Sequence, residues 1–129
     1  MTTLTPRDVA LRYISAVGDK RLDAVEELLH PDLEFHMSGK SIHGSHNYIA
    51  ALRRLGPILL RNEVRETIVD ADTVCIVYDF VTDTHVGAVP SVEWLTVTGG
   101  RIRSSRLIFH KEQWPTVLEE LGRRMAATA

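Results

Sequence analysis

Glu93 is the residue whose type and placement most demand a chemical explanation. It stands in the run 89–109, VPSVEWLTVTGGRIRSSRLIF, where two alternating, β-branched-rich stretches flank a Thr98-Gly99-Gly100 turn. That pattern predicts a two-stranded hairpin. Glu93 then shares a strand face with Ser91, Leu95 and Val97, while Val92, Trp94 and Thr96 point the other way. If the Leu95/Val97 face is interior, a carboxylate enters the core and needs a partner or a function. Burial disfavours the charged form and raises the pKa, so an inward Glu93 reads as a general acid or base. Outward, it reads as a surface carboxylate, or one paired with Arg103 or Arg106 on the neighbouring strand.

The other chemically capable residues are weaker candidates. Tyr13 stands on an amphipathic helix, where a tyrosine either hydrogen-bonds a ligand or packs in the core with its hydroxyl at the edge. Asp79 interrupts the apolar run 74–81 and shares its parity with Cys75, Val77 and Val81. It is a second buried acid or, the preferred reading, a charge on the outer sheet face. His36, His43 and His46 form the one histidine cluster, spread over a strand end, a loop and a helix start. Neutral imidazoles there could converge on a metal, but the spacing matches no standard motif. Polar rim residues are the preferred reading and no metal is expected. His36 could act as a base near neutral pH, although its parity opposes it to Met37. His85, in a loop, reads as a surface histidine. The single Cys75 has no internal disulfide partner and reads as a small buried hydrophobe.

The elements that must position these residues follow from caps and periodicity. Thr5 caps a first helix, with Pro6 at its first position and Asp8 near its positive end; Gly18 ends it. Val9, Tyr13, Ala16 and Val17 share one face of it. A short helix over 22–29 stops at His30-Pro31-Asp32, and a strand over 33–37 puts Leu33, Phe35 and Met37 on one face. Residues 38–44 read as loop, and Ser45 can cap a third helix over 46–55. Residues 58–60 are ambiguous between helix and buried connector. A meander of strands over 61–69, 73–82, 88–98 and 101–110 follows, then a final helix over 115–125. These elements predict an α+β fold, a cone-shaped curled antiparallel sheet packed against three N-terminal helices, plus a C-terminal helix. The space between sheet and helices is a natural pocket. Phe35, Met37, Tyr48, Leu52, Leu95, Leu107 and Phe109 are its expected apolar wall.

The totals fit that picture. A chain of 129 residues with 44% hydrophobic and 25% charged content suits one soluble domain over 1–129, its core about 5–110. A net charge of −2 gives no reason to expect nucleic acid. The N-terminus lacks the apolar run of a signal peptide and no stretch is long enough to span a bilayer, so a cytoplasmic protein is expected.

The chain resembles the nuclear transport factor 2-like superfamily, and within it the SnoaL-like polyketide cyclases and steroid Δ-isomerases. The resemblance is carried by Arg12-Tyr13-Ile14 with Ala16, and by Arg21-Leu22-Asp23-Ala24-Val25 through Leu28-Leu29-His30-Pro31-Asp32. Leu33-Glu34-Phe35-His36, Gly44 and the Gly99-Gly100-Arg101-Ile102 hairpin complete it. It covers the chain to about residue 110 and implies fold more than reaction. Tyr13 falls where the isomerases keep a tyrosine donor to the substrate oxygen. Glu93 falls near their protonated acid, and near the acid/base aspartate of the cyclases. His85 lies in a loop where cyclase-like relatives can carry a histidine. Where the isomerases keep their aspartate base this chain has Met37, and where the related epoxide hydrolases keep a last-strand aspartate it has Leu107. The resemblance therefore implies a small apolar ligand, no cofactor, and a homodimer formed through the outer sheet face. It also implies cofactor-free isomerase or cyclase chemistry through Glu93 and Tyr13, or a non-catalytic binding module.

Overall fold

A computed structural model describes residues 4–127. The first helix, α1 (Pro6–Gly18), begins with a reciprocal capping box. The Thr5 hydroxyl accepts from the Asp8 amide at 3.1 Å and the Asp8 carboxylate accepts from the Thr5 amide at 3.2 Å. Its buried face, Val9, Ala10, Tyr13, Ile14 and Val17, lies on the sheet. Gly18 ends it against the next strand but two, where an added Cβ would stand 2.7 Å from the Asn62 amide nitrogen. Only glycine lets the two backbones approach that closely.

Helix α2 (Leu22–Glu27) is shorter than its pattern suggests, and strand β1 (Leu29–Met37) starts earlier, running through His30-Pro31. Proline has no N–H for a ladder, and the pairing of β1 is interrupted between Leu29 and Glu34. Residues 38–44, expected as loop, contain strand β2 (Lys40–His43). Ser38 and Gly39, with φ of 39° and 79°, make the tight turn that folds it back on β1. Helix α3 (Ser45–Leu55) is capped by Gly44, at φ 89°, and not by Ser45, which is already helical and makes no side-chain cap bond.

Strands β3 (Leu59–Asp70), β4 (Thr73–Thr82), β5 (Ala88–Thr98) and β6 (Arg101–Phe109) form the meander, and helix α4 (Trp114–Ala127) closes the described chain. The sheet order is β2-β1-β6-β5-β4-β3. One pair departs from antiparallel order: β1 runs parallel to β6, so the curled, unclosed sheet is mixed. Register shifts in β3, and between β5 and β6 at Thr96/Val97, bend the strands and add to the curl. The core lies between the concave face and α1 to α3; α4 packs a smaller cluster, Val117 and Leu121 on Ile58, at one end. Arg124 holds α4 there by hydrogen bonds to Asp83 and to the Pro57 carbonyl.

Candidate functional site

Burial alternates along β5, with Val89, Ser91, Glu93, Leu95 and Val97 turned inward, so Glu93 is a core residue at 3% exposure. Its strand neighbours are Ile76 on β4 and Leu107 on β6. Its hydrogen-bond partners come from one step along those strands and from the helix above. Tyr13 of α1 donates to Oε1 at 2.5 Å, Ser105 of β6 donates to Oε1 at 3.0 Å, and Tyr78 of β4 donates to Oε2 at 3.0 Å. Tyr48 of α3 bonds the Tyr13 hydroxyl. Since the single Tyr13 proton is committed to Glu93, Tyr48 is the donor in that contact. Among the described residues no cation joins the cluster: Arg103 reaches His30 and Asp32, and Arg106 pairs across the outer face with Trp94.

Burial raises the Glu93 pKa above its ordinary 4.5, and the hydrogen bonds from Tyr13, Ser105 and Tyr78 oppose that rise without cancelling it. The three tyrosines are pushed well above 10, first by burial and then by the negative charge that Glu93 can carry. They stay protonated and act as donors throughout the neutral range.

Beside this cluster lies an apolar cavity of about 90 Å³. Glu93, Tyr48 and Tyr78 stand on its wall with Phe35, Met37, Leu52, Leu107 and Phe109. Phe80, Asn62, Ser91 and Trp114 complete much of the rest, and Trp114 meets Phe80 and Phe109 edge-on at 5.9 and 5.3 Å between ring centroids. One water needs roughly 10–15 Å³ by this measure, so the cavity has room for a small ring system.

The structure divides the remaining candidates. Leu95, expected on the wall, is instead fully buried in the core, one inward step beyond Glu93 and paired with Val74 and Ser105. Tyr13 is likewise off the wall; it reaches Glu93 from α1, its ring centroid 6.5 Å from that of Tyr48. Asp79 lies on the outer face, where Arg65 Nε and Nη2 donate to its Oδ2 at 2.8 and 2.6 Å. His36 is half-buried on the opposite face from Phe35 and Met37, its Nδ1 2.9 Å from Ser41 Oγ, and His85 is exposed; neither lines the cavity. His43 and His46 are exposed, and among the described residues no three His, Cys, Asp or Glu side chains come together to hold a metal. Cys75 is only half-buried, on the outer face between Trp94 and Ile68.

Tyr78, Ser105 and Asn62 were not singled out from sequence. Tyr78 shares parity with Val74 and Ile76, a signal that depends on knowing which face is inside. Counting back from the Gly99-Gly100 turn puts Ser104 opposite Leu95; the register shift at Thr96/Val97 moves Ser105 there instead, and nothing in the sequence marks that shift. Among the described residues no helix is long and apolar enough to cross a membrane.

The comparisons with known proteins agree with this architecture. A protein from Kribbella flavida DSM 17836 is 27% identical, with a TM-score of 0.79 over 90% of this chain and 95% of its own. A Shewanella denitrificans OS-217 protein described as a SnoaL-like polyketide cyclase is 16% identical, with a TM-score of 0.74 over 89% and 97% of the two chains. A second Kribbella flavida DSM 17836 protein, described as a ketosteroid isomerase, is 14% identical, with a TM-score of 0.72 over 81% and 77%. At these last two identities the likeness is one of fold. No curated protein matches the chain. The SnoaL-like domain model matches residues 10–105, a span running from α1 through Ser105. The chain therefore belongs to the SnoaL-like domain family.

Proposed function

We propose that this protein binds a small, largely apolar carbonyl compound in the cavity and moves a proton on it through Glu93, as a cofactor-free isomerase or cyclase. The observation that carries this reading is a carboxyl group on the wall of a largely apolar cavity, held by hydroxyls and, among the described residues, by no cation. Oε1 already accepts two hydrogen bonds, whereas Oε2 accepts one, from Tyr78. Oε2 is thus the atom with a lone pair left to work. It would take a proton from the carbon beside a ligand carbonyl, leaving the electron pair as an enolate. Return of that proton to another carbon is isomerisation; attack of the enolate carbon on a second carbonyl is cyclisation. A base of this kind works best when its pKa lies near the working pH, and burial moves Glu93 in that direction. Tyr13 acts as a positioning residue, fixing Oε1 so that Oε2 faces the ligand.

A second reading, a ligand-binding module without turnover, is favoured by one feature of the same site. The hydroxyls of Tyr13, Tyr78 and Ser105 are directed at Glu93 and that of Tyr48 at Tyr13, so none of the four is directed at a ligand oxygen in the cavity. Met37, on the wall, supplies no second proton acceptor. Hydrogen–deuterium exchange beside the carbonyl of a small cyclic ketone separates the two readings. Turnover through Glu93 gives protein-dependent exchange that falls by about 10²-fold or more in Glu93→Gln. Ketone binding with no exchange in the unaltered protein would leave the module reading.

The homodimer belongs to this proposal as well. Trp94, Ile108 and Ile68 on the outer sheet face are each exposed by half or more, an apolar surface suited to a second copy. Sedimentation of a dimer that Trp94→Glu converts to monomer is the expected result; a monomer from the start removes the idea.

A further inference from the structure

Asn62 stands out on the cavity wall for the opposite reason to Glu93. Its Nδ2 donates to the Ile14 carbonyl at 3.1 Å. A carbonyl oxygen can accept but not donate, so this bond needs the N–H end of the amide and settles which end is which, turning Oδ1 the other way. Oδ1 is buried, and among the described residues it is the one buried side-chain nitrogen or oxygen without a hydrogen-bond partner. The neighbouring hydroxyls are committed elsewhere: Tyr48 to Tyr13, Tyr78 to Glu93, and Ser91 to the Val89 carbonyl. The Asn62 backbone is pressed against Gly18, so both its backbone and its side chain are held against α1. A buried amide oxygen left unpaired is unfavourable, and native structures rarely leave one without a purpose.

We propose that Asn62 Oδ1 is a ligand-recognition group that accepts a hydrogen bond from an O–H or N–H on the bound molecule. The site then selects hydroxylated apolar compounds, such as phenols, enols or alicyclic alcohols, over equally apolar ones that lack a donor. This rests on the reading of the cavity as a ligand site, but not on proton transfer by Glu93. Asn62 fixes one end of the ligand through a donor, and Glu93 meets the other functional group.

Two matched probes test it, p-cresol and 4-methylanisole, which differ in replacing the hydroxyl proton by a methyl group. Binding is followed by NMR titration of the full chain, including the Asn62 side-chain ¹³Cγ resonance. We expect p-cresol to bind roughly three- to tenfold more tightly than 4-methylanisole, the range set by one neutral hydrogen bond. We expect Asn62→Leu to erase that preference by weakening p-cresol alone, and Asn62 ¹³Cγ to move with p-cresol and not with 4-methylanisole. Equal binding of both probes overturns the role of Asn62 and leaves the cavity reading standing. So does a preference that survives Asn62→Leu but vanishes in Glu93→Gln, because the hydroxyl then goes to Glu93. If neither probe perturbs any cavity resonance, the cavity reading falls and the proposal with it. Should Asn62→Leu fail to fold, the ¹³Cγ response of the unaltered protein decides.

Discussion

Two carboxylates interrupt apolar strands of the same sheet, and they have opposite surroundings. Asp79 on β4 faces outward and is clasped by the Arg65 guanidinium, whose own pKa is raised by the hydrogen bonds and charge of Asp79. Glu93 on β5 faces inward and, among the described residues, meets neutral donors alone, the hydroxyls of Tyr13, Tyr78 and Ser105. A cation beside a carboxylate favours its charged form. Hydroxyls satisfy the oxygens and still let the group change charge. Asp79 is thus bound in an ion pair, while burial raises the pKa of Glu93, and that difference is why the proposed proton transfer is placed on Glu93.

The contrast can be broken most forcefully by truncation. Glu93→Ala should cost about 2–4 kcal/mol, since it opens a void and leaves three buried hydroxyls without their acceptor. Asp79→Ala, which releases only an exposed guanidinium, should change the urea midpoint little. Comparable losses in the two urea titrations would mean that burial does not separate the two acids.

The pH dependence of stability sharpens the comparison further. Because the folded value of Glu93 lies above its ordinary 4.5, the folded chain holds this proton more tightly than the unfolded chain. Stability from this group falls as pH rises from about the unfolded value through the folded one, and stays lower above it. Asp8 behaves inversely: the backbone and hydroxyl bonds of Thr5 lower its value, so its contribution is lost as pH falls. Thermal melts across pH 4.5 to 8 should therefore show Glu93→Gln gaining on the unaltered protein as pH rises. A constant difference across that range would mean that Glu93 does not titrate there.

Tyr13→Phe should have a smaller effect, about 1 kcal/mol on unfolding. It should also move the Glu93 titration upward, because the Tyr13 hydrogen bond favours the charged form. A downward movement in the side-chain ¹³C titration would assign Tyr13 the wrong role. Smallest of all is Asp79→Asn, whose effect on melting should shrink further in high salt and leave the Glu93 titration where it was.

The elements legible in the sequence were those with long patterns. The alternation over 88–98 and the paired glycines at 99–100, both at positive φ, specify the β5–β6 hairpin and with it the parity of Glu93. The Thr5 cap of α1 is local and, although the return bond from the Thr5 amide to Asp8 was not read from it, was equally plain. Strand β2 was not, because four residues, Lys40–His43, cannot display an alternation, and the turn that makes them pair relies on Ser38 adopting positive φ. The partners of Glu93 were hidden for a different reason. Tyr78 and Ser105 reach it diagonally across neighbouring strands, which requires the register and not merely the strands. Leu95 was misplaced because parity gives the face but not the depth: α1 covers the Leu95 level, while the cavity opens at the Glu93 level.

The Glu93 cluster is assembled from two parts of the chain with very different separations. Tyr78 and Ser105 lie 15 and 12 residues away and come together as soon as the β4–β5–β6 meander forms. Tyr13 lies 80 residues away, and its helix belongs to the half of the molecule that must also bring β1 alongside β6. Contacts that distant slow folding, because the intervening chain must be closed before they reward it. In the unfolded chain Glu93 is open to water and has its ordinary affinity for a proton; the fold buries it and raises that affinity. Folding is thereby accompanied by proton uptake in the pH window between the two values, which a weakly buffered refolding solution registers as a rise in pH.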